Sequence, residues 1–445
     1  MERESLTGNK IAYKMRKFRG ILILLFCCNH MYAQQSTTAK VPCNGDADGL
    51  PGKYYDHTQP KYPPYYGSYS SSDKAAIIKQ LTAIEKSEEA SRSNFQLTGC
   101  VARVSFSTLI PSSSAGYVHA AYEYQLAAYQ NVCHITEHIV KTVDEYRTVL
   151  RIAVNPAIAT GTVLPGPTGE FYLTDKNRSV RYDIPIDARL GPAYEKEQKS
   201  HPSRISQYIS ESIVLANRSN DYKSKHSDFL KIINGEGFVE NWMSGSRDDK
   251  PGPKSYRWIE RHWLITKPGV ALLLPVTRRQ YLEDLLEYFE IEKANFYISL
   301  EKLEKNTAGN SSDNAKRRMA VLEADKAAYP ELYEKRKAKV EQLLATQNTE
   351  WLQKNAVVDR NSYSYDAYQR LADIGKFYDA EDEKTIALYT YNPAYFRINS
   401  DQPLKPILLE VKFRYELGAD RGFSERLFTN FLKNFDFTGL RKMLQ

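Results

Sequence analysis

Cysteine is scarce in this chain, and the scarcity sets the first bound. Five cysteines among 445 residues are too few for a disulfide-dense scaffold, and the paired C-x-x-C pattern of a structural zinc site is missing. There is no G-x-S-x-G elbow and no Gly-rich phosphate loop ending in Lys, so the common serine-hydrolase and nucleotide signatures are excluded. Gly235 and Gly237 begin like a dinucleotide fingerprint, but Glu240 stands where its third glycine belongs. After residue 33 no apolar run reaches the ~18 residues that a membrane span needs. An excess of one charge sign is missing too. The formal net charge is +7, but six of the 61 Lys and Arg and two of the 54 Asp and Glu lie in residues 1–33, leaving 55 against 52. A surplus that small gives no concentrated positive face, so no nucleic-acid partner is expected.

What is present is ordinary globular material, 42% hydrophobic and 26% charged, in a chain long enough for two or three domains. Lys14, Arg16, Lys17 and Arg19 precede the apolar run Ile21 to Cys28, and Ala33 closes Met31-Tyr32-Ala33. This is the pattern of a signal peptide over residues 1–33, with Met1 or Met15 as its start, and it implies export to the periplasm or beyond. Phe26 occupies the place of a small lipobox residue, which argues against a lipid anchor on Cys27 or Cys28. Export permits one disulfide among Cys43, Cys100 and Cys133. A hairpin turning near Ser113 would set Cys100 opposite position 127 or so, away from Cys133, leaving Cys43 to pair with one of the other two.

Residues 34–72 read as an extended Tyr/Pro-rich arm with six tyrosines between Tyr54 and Tyr69. A helix is predicted over Asp73 to Glu89, with Ile77, Leu81 and Ile84 inward and Lys86, Glu88 and Glu89 outward. The rest of residues 73–200 is β-rich: Cys100 to Ile110, Tyr117 to Val132, Tyr146 to Val154, Phe171 to Thr174 and Val180 to Ile186, as a meander with one face covered. Ala120 to Tyr129 fits the helical period equally well. In residues 201–445 helices are predicted over Pro202 to Ala216 and Asp228 to Trp242.

The strongest structural signal is Arg257 to Leu303. It predicts a strand to Thr266, a type II turn at Lys267-Pro268-Gly269, a second strand over Ala271 to Val276 placed at an edge by Pro275, and a long helix capped by Thr277 and Gln280. Leu282, Phe289, Phe296 and Leu303 form its apolar stripe, while Glu283, Asp284, Glu287, Glu290 and Glu292 carry its charge. Ala315 to Leu344 returns as the other arm of a helical hairpin (about 277–347), with Pro330 as a fresh start or kink and Lys335, Arg336, Lys337 and Lys339 as a solvated face. Thr385 to Tyr391 and Pro406 to Tyr415 are candidate partners for the two strands. A last helix from Ser424 buries Leu427, Phe428, Phe431, Leu432, Phe435 and Leu440. Arg278 and Arg279 oppose the dipole at the start of the long helix, which implies an acidic neighbour or ligand there. The fold class expected is therefore α+β: a β-rich antiparallel N-terminal half, then short antiparallel strands covered by a helical hairpin and a terminal helix.

Two motifs carry chemistry. Asn44, Asp46 and Asp48, with Gly49 in sixth place, form the first half of an EF-hand-like calcium loop, although Tyr55 stands where its bidentate Glu should be. His134-Ile135-Thr136-Glu137-His138 is H-x-x-E-H, which on a helix would put both histidines on one face as zinc ligands. This pattern resembles the insulinase-like inverzincin metallopeptidases. The resemblance implies His134 and His138 as zinc ligands, Glu137 as the catalytic base, and a downstream acid, Glu211, as third ligand. In a strand Glu137 would point away from the histidines and that geometry would be lost. Carboxylate pairs such as Asp187 with Glu195, or Asp248 with Asp249, would be the machinery of a glycan hydrolase.

Export, tyrosine content, near-neutral charge and the lack of an assembled active site lead to the expectation of a non-catalytic binding or scaffolding protein. Its partner would be a peptide, a glycan or another protein of a bacterial envelope. A zinc metallopeptidase and a glycan hydrolase are the alternatives, and zinc or calcium the cofactors they would bring.

Overall fold

The structure, a computed structural model, describes residues 41–56, 69–114, 116–157, 170–171, 173, 180–183, 204–210, 235, 237–244, 256–359, 371–379, 385–417 and 422–445. Residues 1–40, residues 57–68 of the arm, and Asp187, Glu195, Glu211, Asp248 and Asp249 lie outside the described residues.

The chain is a mixed α+β protein. In order its elements are β1 (Lys53–Asp56), α1 (Ser71–Ser91), β2 (Cys100–Ser114), β3 (Tyr117–His134), β4 (Ile139–Val154), β5 (Glu170–Phe171), β6 (Tyr182–Asp183), β7 (Ile209–Ser210), β8 (Val239–Ser244), β9 (Tyr256–Thr266) and β10 (Leu273–Pro275). They continue with α2 (Arg278–Thr307), α3 (Asp313–Thr346), α4 (Thr349–Gln353), β11 (Val357–Asp359), β12 (Thr385–Tyr391), α5 (Pro393–Phe396), β13 (Leu408–Glu416), α6 (Gly422–Asn434) and α7 (Phe437–Lys442). A seven-stranded sheet runs β1-β2-β3-β4-β13-β9-β8. Only β1 is parallel to its neighbour. A second sheet runs β10-β12-β11, with β7 also paired to β12. The larger sheet crosses residue 200, taking β1 to β4 from one side of it and β8, β9 and β13 from the other.

The meander forms as alternation demands. Tyr122, Tyr124, Leu126 and Ala128 on β3, Leu150, Ile152 and Val154 on β4, and Leu409, Val411 and Phe413 on β13 share one core with Ile77, Leu81 and Ile84 of α1. The ambiguous stretch Ala120 to Tyr129 is strand because β2 and β4 satisfy its backbone on both sides. The turn tip falls at Gly116, with φ at +82°, so Cys100 lies opposite Gln130. It is a few residues further along than expected but still remote from Cys133, and the disulfide is Cys43–Cys133.

The two strands of the Arg257 to Leu303 stretch find the partners expected of them. β9 pairs with β13 and β10 with β12, and β10 is an edge strand, as Pro275 requires. The Thr277 hydroxyl accepts from the Gln280 N–H at 3.1 Å and starts α2. The hairpin of α2 and α3 packs on Val358, Ile386 and Leu388 of the second sheet, and α3 continues through Pro330 unbroken.

Four expectations are corrected. The helices predicted over Pro202 to Ala216 and Asp228 to Trp242 are interrupted by strands, because Ile209–Ser210 pairs with β12 and Val239–Ser244 with β9; tertiary pairing overrides local period. The terminal helix is two helices, with Asp436 capping the second through the Gly439 N–H at 2.9 Å, and Leu432 is exposed. Arg336 is not solvated: it is 1% exposed and donates to Glu292. Nor do all the acids face water, since Glu88, Asp284 and Glu292 are buried. Each accepts a tyrosine hydroxyl, from Tyr124, Tyr208 and Tyr329 respectively. Tyr124, Tyr208 and Tyr329 thus serve as internal donors that let carboxylates sit inside.

Beside this core, half-buried Glu85 gives a pH prediction. Burial, then Asp56 and Glu89, act against Arg92 to raise its carboxyl to about 7. A carboxyl raised on folding favours the folded state most below its unfolded value and loses that contribution as pH rises through the folded one. Glu85→Gln should therefore flatten the decline in urea midpoint between about pH 5 and about pH 8.

Candidate functional site

The H-x-x-E-H segment is the turn between β3 and β4. His134 ends β3 opposite Ile139, the His138 N–H bonds the His134 carbonyl at 2.8 Å, and His138 takes a φ of +51°. The β-branched residues around the motif hold it in a hairpin, so the one-face helical arrangement that the metallopeptidase resemblance implies is not formed. Glu137 pairs instead with Lys141 at 2.6 Å and lies 3.7 Å from His134 Nδ1. Its location explains a different role. The Cys43 N–H bonds the His138 carbonyl at 2.9 Å, so this turn anchors the arm beside the disulfide.

The calcium half-loop is also put to structural use. Asp46 Oδ1 accepts from the Asp48 N–H at 2.9 Å, closing a local turn. The Asp48 carboxylate reaches across the sequence to the start of α6, where Oδ1 accepts from the Phe423 N–H at 2.8 Å and Oδ2 meets Arg426 Nη1 at 2.8 Å. Gly99 makes room for this contact: a Cβ there would stand 2.6 Å from both the carbonyl and the carboxylate of Asp48. Asp48→Ala removes a helix cap and an ion pair whose arginine is 42% exposed. With the exposed pair discounted, the expected loss is about 1–2 kcal/mol, read from urea denaturation. Among the described residues no group of three or more His, Cys, Asp or Glu is placed to hold a metal.

The acidic neighbour expected near Arg278 is Asp379, at 2.9 Å. Trp351 and Phe377 also lie against the guanidinium, so the dipole mismatch is answered from inside the chain.

The feature that stands apart is the second face of the seven-stranded sheet. Residues that alternate away from the α1 and α6 core fall into three ranks across the strands. Ser107, Glu123, Ala153, Glu410 and Leu264 make the first; Ser105, Gln125, Arg151, Lys412 and His262 the second; Arg103, Ala127, Val149, Arg414 and Glu260 the third. At the Leu264 end the ranks begin where an apolar cluster of Leu264, Leu408, Tyr389 and Phe396 stops. Charge of both signs is thereby gathered on a half-buried surface.

His262 organises much of it. Its Nε2 meets Glu260 Oε1 at 2.6 Å and its Nδ1 lies 3.7 Å from Glu410 Oε1, while Lys412 Nζ is 3.0 Å from Glu410 Oε2. Burial works to lower the imidazole, but the bonds to Glu260 and Glu410 outweigh it and hold the ring above its ordinary value. Burial works to raise both carboxyls, and His262 with Lys412 holds each below the usual carboxylate range. Glu123 goes the other way: burial raises it, Glu410 adds to the effect, and Arg151 and Lys412 only partly offset them. One rank thus holds a carboxyl biased toward the proton and another biased toward ionisation.

None of these residues was singled out from sequence. The signal available was the alternation of Glu410, Lys412 and Arg414, and of Glu260 and His262, but it gains meaning only once β13 is known to lie between β4 and β9. Comparison with protein-family models, with curated proteins and with solved structures found no match to this chain.

Proposed function

We propose that the chain is an exported, non-catalytic binding or scaffolding protein of a bacterial envelope, and that its peptide, glycan or protein partner docks on the charged sheet face. The observation that carries this reading is the set of Glu123, Arg151, Glu410, Lys412, His262, Glu260 and Arg414, drawn from four strands onto one half-buried face. Partly desolvated charge is costly unless it is matched, and a polar partner bearing charge of its own supplies the match. The signal-peptide pattern supports export, as does the Cys43–Cys133 disulfide, since disulfides persist in oxidising compartments. No helix among the described residues is long and apolar enough to cross a membrane. The tyrosine surface contributes less than its abundance suggests, because Tyr54 of the arm packs on the core with Arg92 3.9 Å above its ring.

The test is a thermal-shift screen of residues 34–445 against peptides, glycans and envelope fractions. A binder whose effect is lost in His262→Gln with Lys412→Gln, while the variant's own melting curve stays cooperative, supports the reading. Turnover of casein abolished by Glu137→Gln would overturn it. A second reading, glycan hydrolysis, draws on Glu123 and Glu410, which share a rank two strands apart, roughly 9–10 Å between backbones. Turnover of a glycan panel that Glu123→Gln abolishes would decide for it.

A further inference from the structure

The charges of this face are not all satisfied by one another. Glu410 is engaged by Lys412 and His262, and Glu260 by His262. Among the described residues, the Glu123 carboxylate makes no hydrogen bond or ion pair, and Arg151 Nε is buried without a hydrogen-bond partner. The two sit on neighbouring strands. Glu123 lies opposite Ala153, and Gln125 opposite Arg151, so Glu123 and Arg151 are diagonal neighbours, roughly 7–8 Å apart and somewhat less between their Cβ atoms. Side chains this close and of opposite sign ordinarily close into a pair. Here Glu123 also faces Lys412, while Glu410 opposes it from the same rank.

Resting on the binding reading above, we infer that the Glu123–Arg151 diagonal recognises an α-amino-acid zwitterion, with the ammonium at Glu123 and the carboxylate at Arg151. Charge complementarity selects this occupant. A lone anion placed on Arg151 would meet Glu123 and Glu410, and a lone cation on Glu123 would meet Arg151 and Lys412. A group carrying both signs on adjacent atoms avoids both conflicts. Guanidinium is also suited to hold a carboxylate through two parallel bonds. Ala153, the small residue beside the diagonal, sets no long side chain between the two.

The experiment uses residues 34–445 and the twenty amino acids presented singly in isothermal titration. N-acetyl and amide forms of the best binder follow, together with a panel of glycans and capped peptides. The expected result is binding of the zwitterion, weakened roughly 10- to 100-fold by either blocking group, and weakened as much by Glu123→Gln or Arg151→Gln. Arg151→Lys, which keeps the charge and loses the fork, should recover part of the affinity. Equal binding of free and blocked forms would overturn the inference. If a glycan or capped peptide binds through Lys412 and His262 while no amino acid does, the zwitterion is wrong and the binding face stands. If no arm binds, both fall.

Discussion

Glu292→Leu should destabilise the chain by about 3–5 kcal/mol, the range for breaking a buried ion pair from one side. Glu292 is 0% exposed and Arg336 1%, and the carboxylate also accepts the Tyr329 hydroxyl at 2.7 Å. Removing it takes a carboxylate from the buried guanidinium that lies against Phe289 and an acceptor from the buried Tyr329 phenol. The attraction between the partners is not the whole source of the loss, because taking both charges out of water cost much of it in advance. A sharper outcome follows for the pair. Glu292→Leu with Arg336→Met leaves no orphaned charge and should recover most of the stability, so the double variant lies above the sum of the single ones. Urea denaturation of the four proteins measures this directly. Additive losses would mean that the pair does not act as a unit.

Cys43→Ser should be the second large effect. The disulfide joins positions 90 residues apart, and closing a loop of that length restricts the unfolded chain by roughly 4–5 kcal/mol in the chain-entropy model, with 2–5 kcal/mol lost on removal in practice. Much of the effect should appear locally. Cys43 and the Asp48 cap tie the arm to the β3–β4 turn and to α6, so proteolysis in the arm should accelerate before the sheet melts. Thiol labelling provides the control. In the native protein no thiol of residues 34–445 should react, because Cys100 is buried and burial pushes its thiol up to about 12. Rapid labelling of Cys133 in the unmodified native chain would show that the bond is not formed.

Local pattern carried the fold a long way. Period-two alternation in Cys100 to Ile110, the strand-like run Tyr146 to Val154, the Pro-Gly turn after Thr266, and the seven-residue stripe of Leu282, Phe289, Phe296 and Leu303 were enough to foresee the meander, the pairing of β9 and β10 with separate strands, and the helical hairpin, although Ala120 to Tyr129 fitted a helix as well as a strand. Contacts between distant residues were not legible. Nothing in Asp48 announces that it caps a helix beginning at Gly422, and nothing in Pro406 to Tyr415 says that this strand inserts between β4 and β9. Charge was misread wherever a tyrosine hydroxyl or an opposite charge waited inside, as at Glu88, Asp284, Glu292 and Arg336. A pattern that assigns charge to water has no means of seeing a partner supplied by another element. The candidate site was invisible for the same reason: its residues belong to four strands whose order is a tertiary fact. The motifs that did stand out, H-x-x-E-H and the half calcium loop, are conspicuous as strings and are used as a turn and a cap.

The ring of His262 reports on the central proposal most directly, since it lies between Glu260 and Glu410 in the middle of the charged face. Its resonances, assigned by comparison with His262→Gln, can be followed by NMR while a ligand from the titration panel is added. The account predicts that they move with ligand occupancy and that those of His134 and His138 stay in place. Saturable binding that shifts His134 and His138 and leaves His262 untouched would contradict it.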